Sequence, residues 1–189
     1  MDFATDTLLE FFTAMPESAL CKIRSFTPAD LSACRKLYWE GLIGGRIAEN
    51  DTALDLDDIQ SVYLGNKGNH FWVAENTAGE VVGMIGVQHY EEGTAEIRRL
   101  RVAQDHRRRG IGSALLETAL RFCHDKQYIK ITLDTFMERE PAIALFKKFR
   151  FQHTRSRNVN GKDLLYFYLD LYTGAPRPHK DDQGFVPVA

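Results

Sequence analysis

Between positions 97 and 113 the chain reads IRRLRVAQDHRRRGIGS, with arginines at 98, 99, 101, 107, 108 and 109. The whole chain sets 24 Lys and Arg against 26 Asp and Glu, a formal charge of −2, so this positive charge is local rather than general. Directly behind Arg109, Gly110 and Gly112 let the backbone approach a ligand where a helix begins and its first N–H groups lack partners. Helix N-termini favour anions by about 0.3–1 kcal/mol at exposed sites, and flanking guanidiniums add charge-assisted donors. That chemistry suits a pyrophosphate. The segment is not a dinucleotide fingerprint, which needs GxGxxG directly after a strand, nor a Walker loop, which needs Gly-Lys-Ser/Thr. A solvated arginine loop has the same composition. The placement favours a ligand, because the loop joins a strand end to a helix start, where open α/β sheets bind theirs.

The strand before this loop has its apolar residues at Ile97, Leu100 and Val102. One step is three and the next is two, which a period of two cannot hold, so a β-bulge is expected near Arg98 and Arg99. A bulge frees backbone groups and splays the strand from its neighbour. A ligand could then bond to Leu100 and Val102 as a missing strand would. Glu96 lies at the mouth of that opening. As a carboxylate on a strand, it is also a natural ion-pair partner for Arg98 or Arg99.

These residues need a scaffold, and the periodicity outlines one. Residues 1–20 read as a helical N-terminal extension ended by Pro16, and 22–26 as a short strand. Thr27, Pro28 and Asp30 start a helix over 28–42, and a second helix is expected over 53–64. Strands over 71–75 and 80–90 flank an Asn-Thr-Ala-Gly turn, and a third covers 94–102. A helix over 110–126 buries Ile111, Leu115, Ala119, Leu120 and Cys123, and a strand over 128–135 follows. Because that helix separates the last two strands, they can lie parallel through a right-handed crossover. A helix over 141–149 and strands over 151–154 and 164–171 complete a domain spanning 21–172. The Pro- and Gly-bearing stretch 173–189 reads as a mobile tail.

With 189 residues, 44% of them hydrophobic, the chain is long enough for one α/β core. The apolar runs fall short of the roughly 18 residues a membrane span needs, and Lys22 is the first cation, so neither membrane nor secretion is expected. Three cysteines at unrelated spacings suit a reducing, cytoplasmic setting and no metal. The balance of charge argues against nucleic acid as a partner.

The run AEIRRLRVAQDHRRRGIGSALLETAL resembles the acetyl-CoA-binding motif of the GNAT superfamily of N-acetyltransferases: Gln or Arg, two residues, Gly, one residue, Gly or Ala. Here these are Arg107, Gly110 and Gly112. The order of elements agrees across 22–171. The resemblance implies a mixed-sheet GNAT-like fold with one splayed parallel pair, acetyl-CoA as acyl donor and no metal. It also implies that the backbone around Leu100, Arg101 and Val102 holds the acetyl carbonyl and pantetheine. Arg107, Arg108, Arg109, Gly110, Ile111, Gly112 and Ser113 would cradle the pyrophosphate, and Phe146 would lie beside the donor.

Glu96, eleven residues before Arg107, stands where members that use a strand carboxylate as general base carry it. Its role would be to take a proton from the attacking amine, while the Leu100 N–H stabilises the tetrahedral oxyanion. The sequence departs from the family in one helix. Where Asn, Ala and a proton-donating Tyr are frequent, this chain has Arg139, Ala142 and Phe146. Tyr166, Tyr168, His153 and Thr135 are alternative acids, or the thiolate leaves unassisted. Acceptor choice would come from 37–51, with Trp39, Glu40, Glu49 and Asp51, and from 155–162. The expected acceptor is the primary amine of a small molecule. Alternatives are a protein N-terminus or lysine, or a silent CoA-binding sensory domain. The resemblance leaves room for a homodimer.

Overall fold

The structure, a computed structural model, describes residues 21–45 and 51–171. The expected N-terminal helix and C-terminal tail lie outside the described residues. Seven strands form one sheet in the order β1 (Cys21–Ser25), β2 (His70–Asn76), β3 (Val81–Glu91), β4 (Thr94–Val102), β5 (Lys130–Phe136), β7 (Lys162–Asp170), β6 (Gln152–Val159). Neighbours are antiparallel except β4 and β5, which run parallel. Helices α1 (Leu31–Glu40), α2 (Ile111–Asp125) and α3 (Glu140–Lys148) cover the two faces.

Local chemistry explains most boundaries. The Asp30 carboxylate accepts from the Thr27 N–H at 2.8 Å and its hydroxyl at 2.9 Å, and binds Arg24 through both oxygens. A 3-10 turn over Pro28–Asp30 leads into α1, which ends at Gly41. Gly79 at φ 80° closes the β2–β3 hairpin, and Asn160 and Gly161, both at positive φ, make the two-residue β6–β7 turn.

Two apolar cores lie on opposite sides of the sheet. One gathers Ile111, Leu115, Leu116, Ala119, Leu120 and Cys123 of α2 onto Ala95, Ile97, Ile131 and Leu133. The other packs Cys34, Leu37 and Tyr38 of α1 with Leu56, Ile59 and Tyr63 against Phe71, Val73 and Met84. Each large apolar side chain buried this way contributes about 1.5–3 kcal/mol. Burial pushes the Cys34 and Cys123 thiols up to about 12, so both act as small hydrophobes.

Two expectations need correction. The helix expected over 53–64 is a 3-10 turn, Leu54–Leu56, followed by one π turn, Gln60–Leu64. Ala53 takes a left-handed conformation at φ 55°, and the Asp58 carboxylate accepts the Ser61 N–H at 3.0 Å. The left-handed Ala53 stops a helix from starting there, and Asp51 before it and Asp55 after it both bind Arg99 of β4. β6 is also longer than the expected 151–154. Its residues His153 to Asn158 are all exposed, so they carry no apolar alternation to read.

Candidate active site

β4 and β5 are paired over only three rungs, Thr94 with Lys130, Ala95 with Ile131 and Glu96 with Thr132. Past Glu96 they part. On the other edge of β4, Gly86 faces Arg98 and Met84 faces Arg101, so Arg99 and Leu100 together oppose Ile85. Arg99 sits at φ 59°. This is the bulge expected from the 97, 100, 102 spacing, and it keeps Leu100 and Val102 on the core side after Ala95 and Ile97.

The fork opens into a cavity of about 480 Å³. Of the expected site residues, Glu96, Leu100, Arg101 and Phe146 line it. So do Ile43 of the glycine-rich loop and Asn160 of the final hairpin, both in segments expected to choose the acceptor. Asp134 and Arg139 line it too. Asp134 carried no signal in the sequence, because an acid on a strand points to a cleft only once its neighbour has splayed away.

Glu96 is three-quarters shielded from solvent, and that burial pushes its carboxyl above the usual range, with Asp134 adding to the rise and the Arg98 charge opposing it. Arg98 Nη1 lies 3.6 Å from Glu96 Oε2 and donates to Gln88 Oε1 at 3.2 Å. The cleft walls likewise raise the Asp134 carboxyl, although water reaches it through the mouth.

Arg99 is bound differently. Its side chain, 5% exposed, donates to Asp51 at 2.7 and 2.8 Å, to Asp55 Oδ2 at 2.8 Å and, closer still, to Asp55 Oδ1. Tyr38 donates to Asp51 and Tyr63 to Asp55, while the guanidinium lies 5.3 Å from the Tyr38 ring centre. The Asp51 carboxyl, raised by burial, is carried down to about 2 by Arg99. Asp51, one of the residues expected to choose the acceptor, therefore has both oxygens engaged by Arg99. Glu40 is exposed on α1 with its nearest cation, Lys36, at 3.8 Å, and Glu49 lies outside the described residues.

The loop after β4 carries Arg107, Arg108 and Arg109, all exposed, into the start of α2. Arg107 Nε donates to the Val102 carbonyl at 3.1 Å. No side chain caps α2. Gly110 stands at φ 83°, and open space lies where its Cβ would be. Gly112 lies against Val102, whose Cγ2 is 3.8 Å from where a Cβ would stand. The Ile111 side chain is buried in the core, and as the first residue of α2 its backbone N–H has no partner within the helix. Uncapped N–H groups, three exposed guanidiniums and a bare glycine fit a pyrophosphate.

Phe146 is buried, with its ring 5.8 Å from Phe151, and has no proton to give. Of the alternative acids, Thr135 lines the cavity. His153 contacts Ser156 Oγ at 3.0 Å, Tyr168 donates to Gln152 at 3.0 Å, and Tyr166 lies beneath the Arg155 guanidinium.

A mixed sheet that splays one parallel pair beside a basic, glycine-bearing helix start is the architecture of an acyl-CoA-dependent N-acetyltransferase. Residues 31–151 match the model of the Acetyltransferase (GNAT) family, and the chain belongs to that family, whose acyl donor is acetyl-CoA. N-acetyltransferase 8 of Homo sapiens is 38% identical over 105 residues, 53% of this chain and 46% of the relative. N-acetyltransferase 8 of Rattus norvegicus is 36% identical over 122 residues, 62% of this chain and 53% of the relative. The chain spans about half the length of these curated relatives.

Among solved structures, a GNAT acetyltransferase from Staphylococcus aureus Mu50 superposes with a TM-score of 0.71 at 19% identity, over 80% of this chain and 99% of that one. A GNAT phosphinothricin acetyltransferase from Sinorhizobium meliloti, solved in complex with AcCoA, gives 0.69 at 18% identity over 86% and 95%. At such identities the likeness carries the fold alone. No helix among the described residues is long and apolar enough to cross a membrane.

Proposed function

We propose that the chain transfers an acetyl group from acetyl-CoA to the primary amine of a small molecule, by direct attack in the cleft between β4 and β5. The observation that carries this reading is the fork itself, with Glu96 on its last paired rung and an uncapped, arginine-flanked helix start beyond the end of β4. The α2 N–H groups and Arg107 to Arg109 receive the donor's pyrophosphate. The splayed edge of β4 at Leu100 and Val102 receives its pantetheine arm.

An ammonium has no lone pair, so the acceptor must first lose a proton, and Glu96 takes it directly or through water. The freed amine then forms its C–N bond at the thioester carbonyl, and the Leu100 N–H steadies the charge on that oxygen. Collapse breaks the C–S bond, and the nitrogen's surplus proton passes through water to the departing sulfur, leaving a neutral amide and free CoA thiol. With Phe146 in the cleft, the thiolate departs without a tyrosine proton, which a thiol pKa of about 8.5 makes tolerable.

Calorimetric titration with acetyl-CoA, against desulfo-CoA and ATP, tests the donor site. Thiol release across an amine panel tests the transfer. Micromolar acetyl-CoA binding with amine-dependent thiol release is the expected result. Absence of acetyl-CoA binding overturns the reading.

A further inference from the structure

Four guanidiniums reach the cleft between β4 and β5, and their partners divide them into two groups. Arg98 lies beside Glu96, and Arg99 is saturated by Asp51 and Asp55. Arg101 and Arg139 make no ion pair among the described residues. Arg101 donates one Nη1–H to the adjacent Leu100 carbonyl at 2.9 Å, and its Nε is buried with no hydrogen-bond partner. Arg139 Nη2 donates to the Gly41 carbonyl at 2.8 Å. Gly41 packs directly on the first arginine, since a Cβ there would stand 2.8 Å from Arg101 Cδ and Nε. Among the described residues, the two cations around the end of α1 have backbone carbonyls as hydrogen-bond acceptors, and the charge of Asp51, which also reaches them, is bound to Arg99. Burial and the neighbouring Arg139 charge push Arg101 down to about 9, which marks how poorly the cation is compensated. A half-buried cation with no ion-pair partner is costly, and an arriving anion relieves it.

Resting on the acetyl-transfer reading, we infer that the acceptor amine also carries a carboxylate, held by Arg101 and Arg139 while Glu96 and Asp134 face its ammonium. The planar fork of a guanidinium matches a carboxylate through paired N–H donors. The donor's phosphates are the other source of an anion. They are disfavoured because the Arg101 side chain leaves β4 toward Gly41, on the face opposite Leu100 and Val102, which pack with the α2 core. The cleft thereby has a cationic end and an acidic end, and a zwitterion spans it.

The test compares a panel of L-amino acids with their carboxamides on the full chain. Binding is read by calorimetry and turnover by thiol release, in wild type, Arg139→Gln and Arg101→Gln. Gln keeps a donor toward the neighbouring carbonyl, and thermal unfolding checks that each variant folds. Wild type is expected to favour the acids by about ten- to hundredfold in kcat/KM, the worth of one charge-assisted bond pair. In the variants the ratio should fall to about twofold through the acceptor's KM, with the KM for acetyl-CoA unchanged. Comparing ratios removes the amide's lower amine pKa. Equal use of acids and amides, a ratio that survives both variants, or no binding by either panel overturns the inference. A loss appearing in the KM for acetyl-CoA overturns it in favour of the donor's phosphates. If acids bind selectively but no amine releases thiol, the carboxylate site stands and the acetyl-transfer reading falls.

Discussion

Glu96 illustrates how one side chain's surroundings set both its chemistry and its cost. Burial raises its carboxyl, so it holds its proton to a higher pH than an exposed carboxyl does. Only the ionised form can accept the ammonium's proton, so kcat/KM should climb as pH rises through that elevated value. Glu96→Gln should remove this limb and lower turnover at neutral pH by about 10²–10⁴, with acetyl-CoA affinity nearly intact. Stability runs the other way. A carboxyl raised on folding contributes its full share below its unfolded value, and that share is lost as pH rises through the folded value. The Gln variant should therefore melt no lower than wild type at pH 7, and a large drop in its midpoint would show Glu96 to be structural. Arg99 is the opposite case. Arg99→Met leaves Asp51 and Asp55 facing each other without a counter-charge, which should cost about 3–5 kcal/mol in urea unfolding.

At the scale of elements, the bulge in β4 does two things with one inserted residue. It turns Arg99 toward Asp51 and Asp55, anchoring the bent 51–64 segment, and it returns Leu100 and Val102 to the core side. Gly86, opposite Arg98, leaves room for this anchor, since a Cβ there would stand 2.6 Å from Tyr63 Cε1. Gly86→Ala must displace the ring that donates to Asp55, and should destabilise by about 1–3 kcal/mol, read by denaturant midpoint. Gly110 plays the matching part at the start of α2. Gly110→Asp places a negative charge and a strained left-handed residue where the pyrophosphate is proposed to lie, and should abolish acetyl-CoA binding by calorimetry while the fold persists. Normal binding by that variant would displace the donor from the α2 N-terminus.

Across the whole molecule, the sheet separates a core under α2 from a core under α1, and the cleft opens where the parallel pair between them parts. Asp51 ties the α1 side to β4, and its carboxyl falls from the usual 3.8 to about 2. A depressed carboxyl contributes stability above its unfolded value that is lost as pH falls through its folded one. Thermal midpoints should therefore drop as pH falls from about 4 to 2, and by less in Asp51→Asn.

The sequence by itself determined the strand order along the chain, the bulge and the arginine-glycine loop, because each is a local matter of period, spacing and turn chemistry. A step of three between Ile97 and Leu100 announces a bulge wherever the strand ends up. The tertiary structure decided the rest. Residues 53–64 look helical but fold as broken turns, with Ala53 left-handed and Asp55 bound to an arginine far along the chain. Asp134 and Glu96 share a cleft only because β4 and β5 stop pairing after three rungs. Of the crowded arginines, long-range partners alone separate Arg99, fully paired, from Arg101, whose Nε has none. Charge type is written in the sequence; whether a charge is compensated depends on what the fold brings within hydrogen-bond reach.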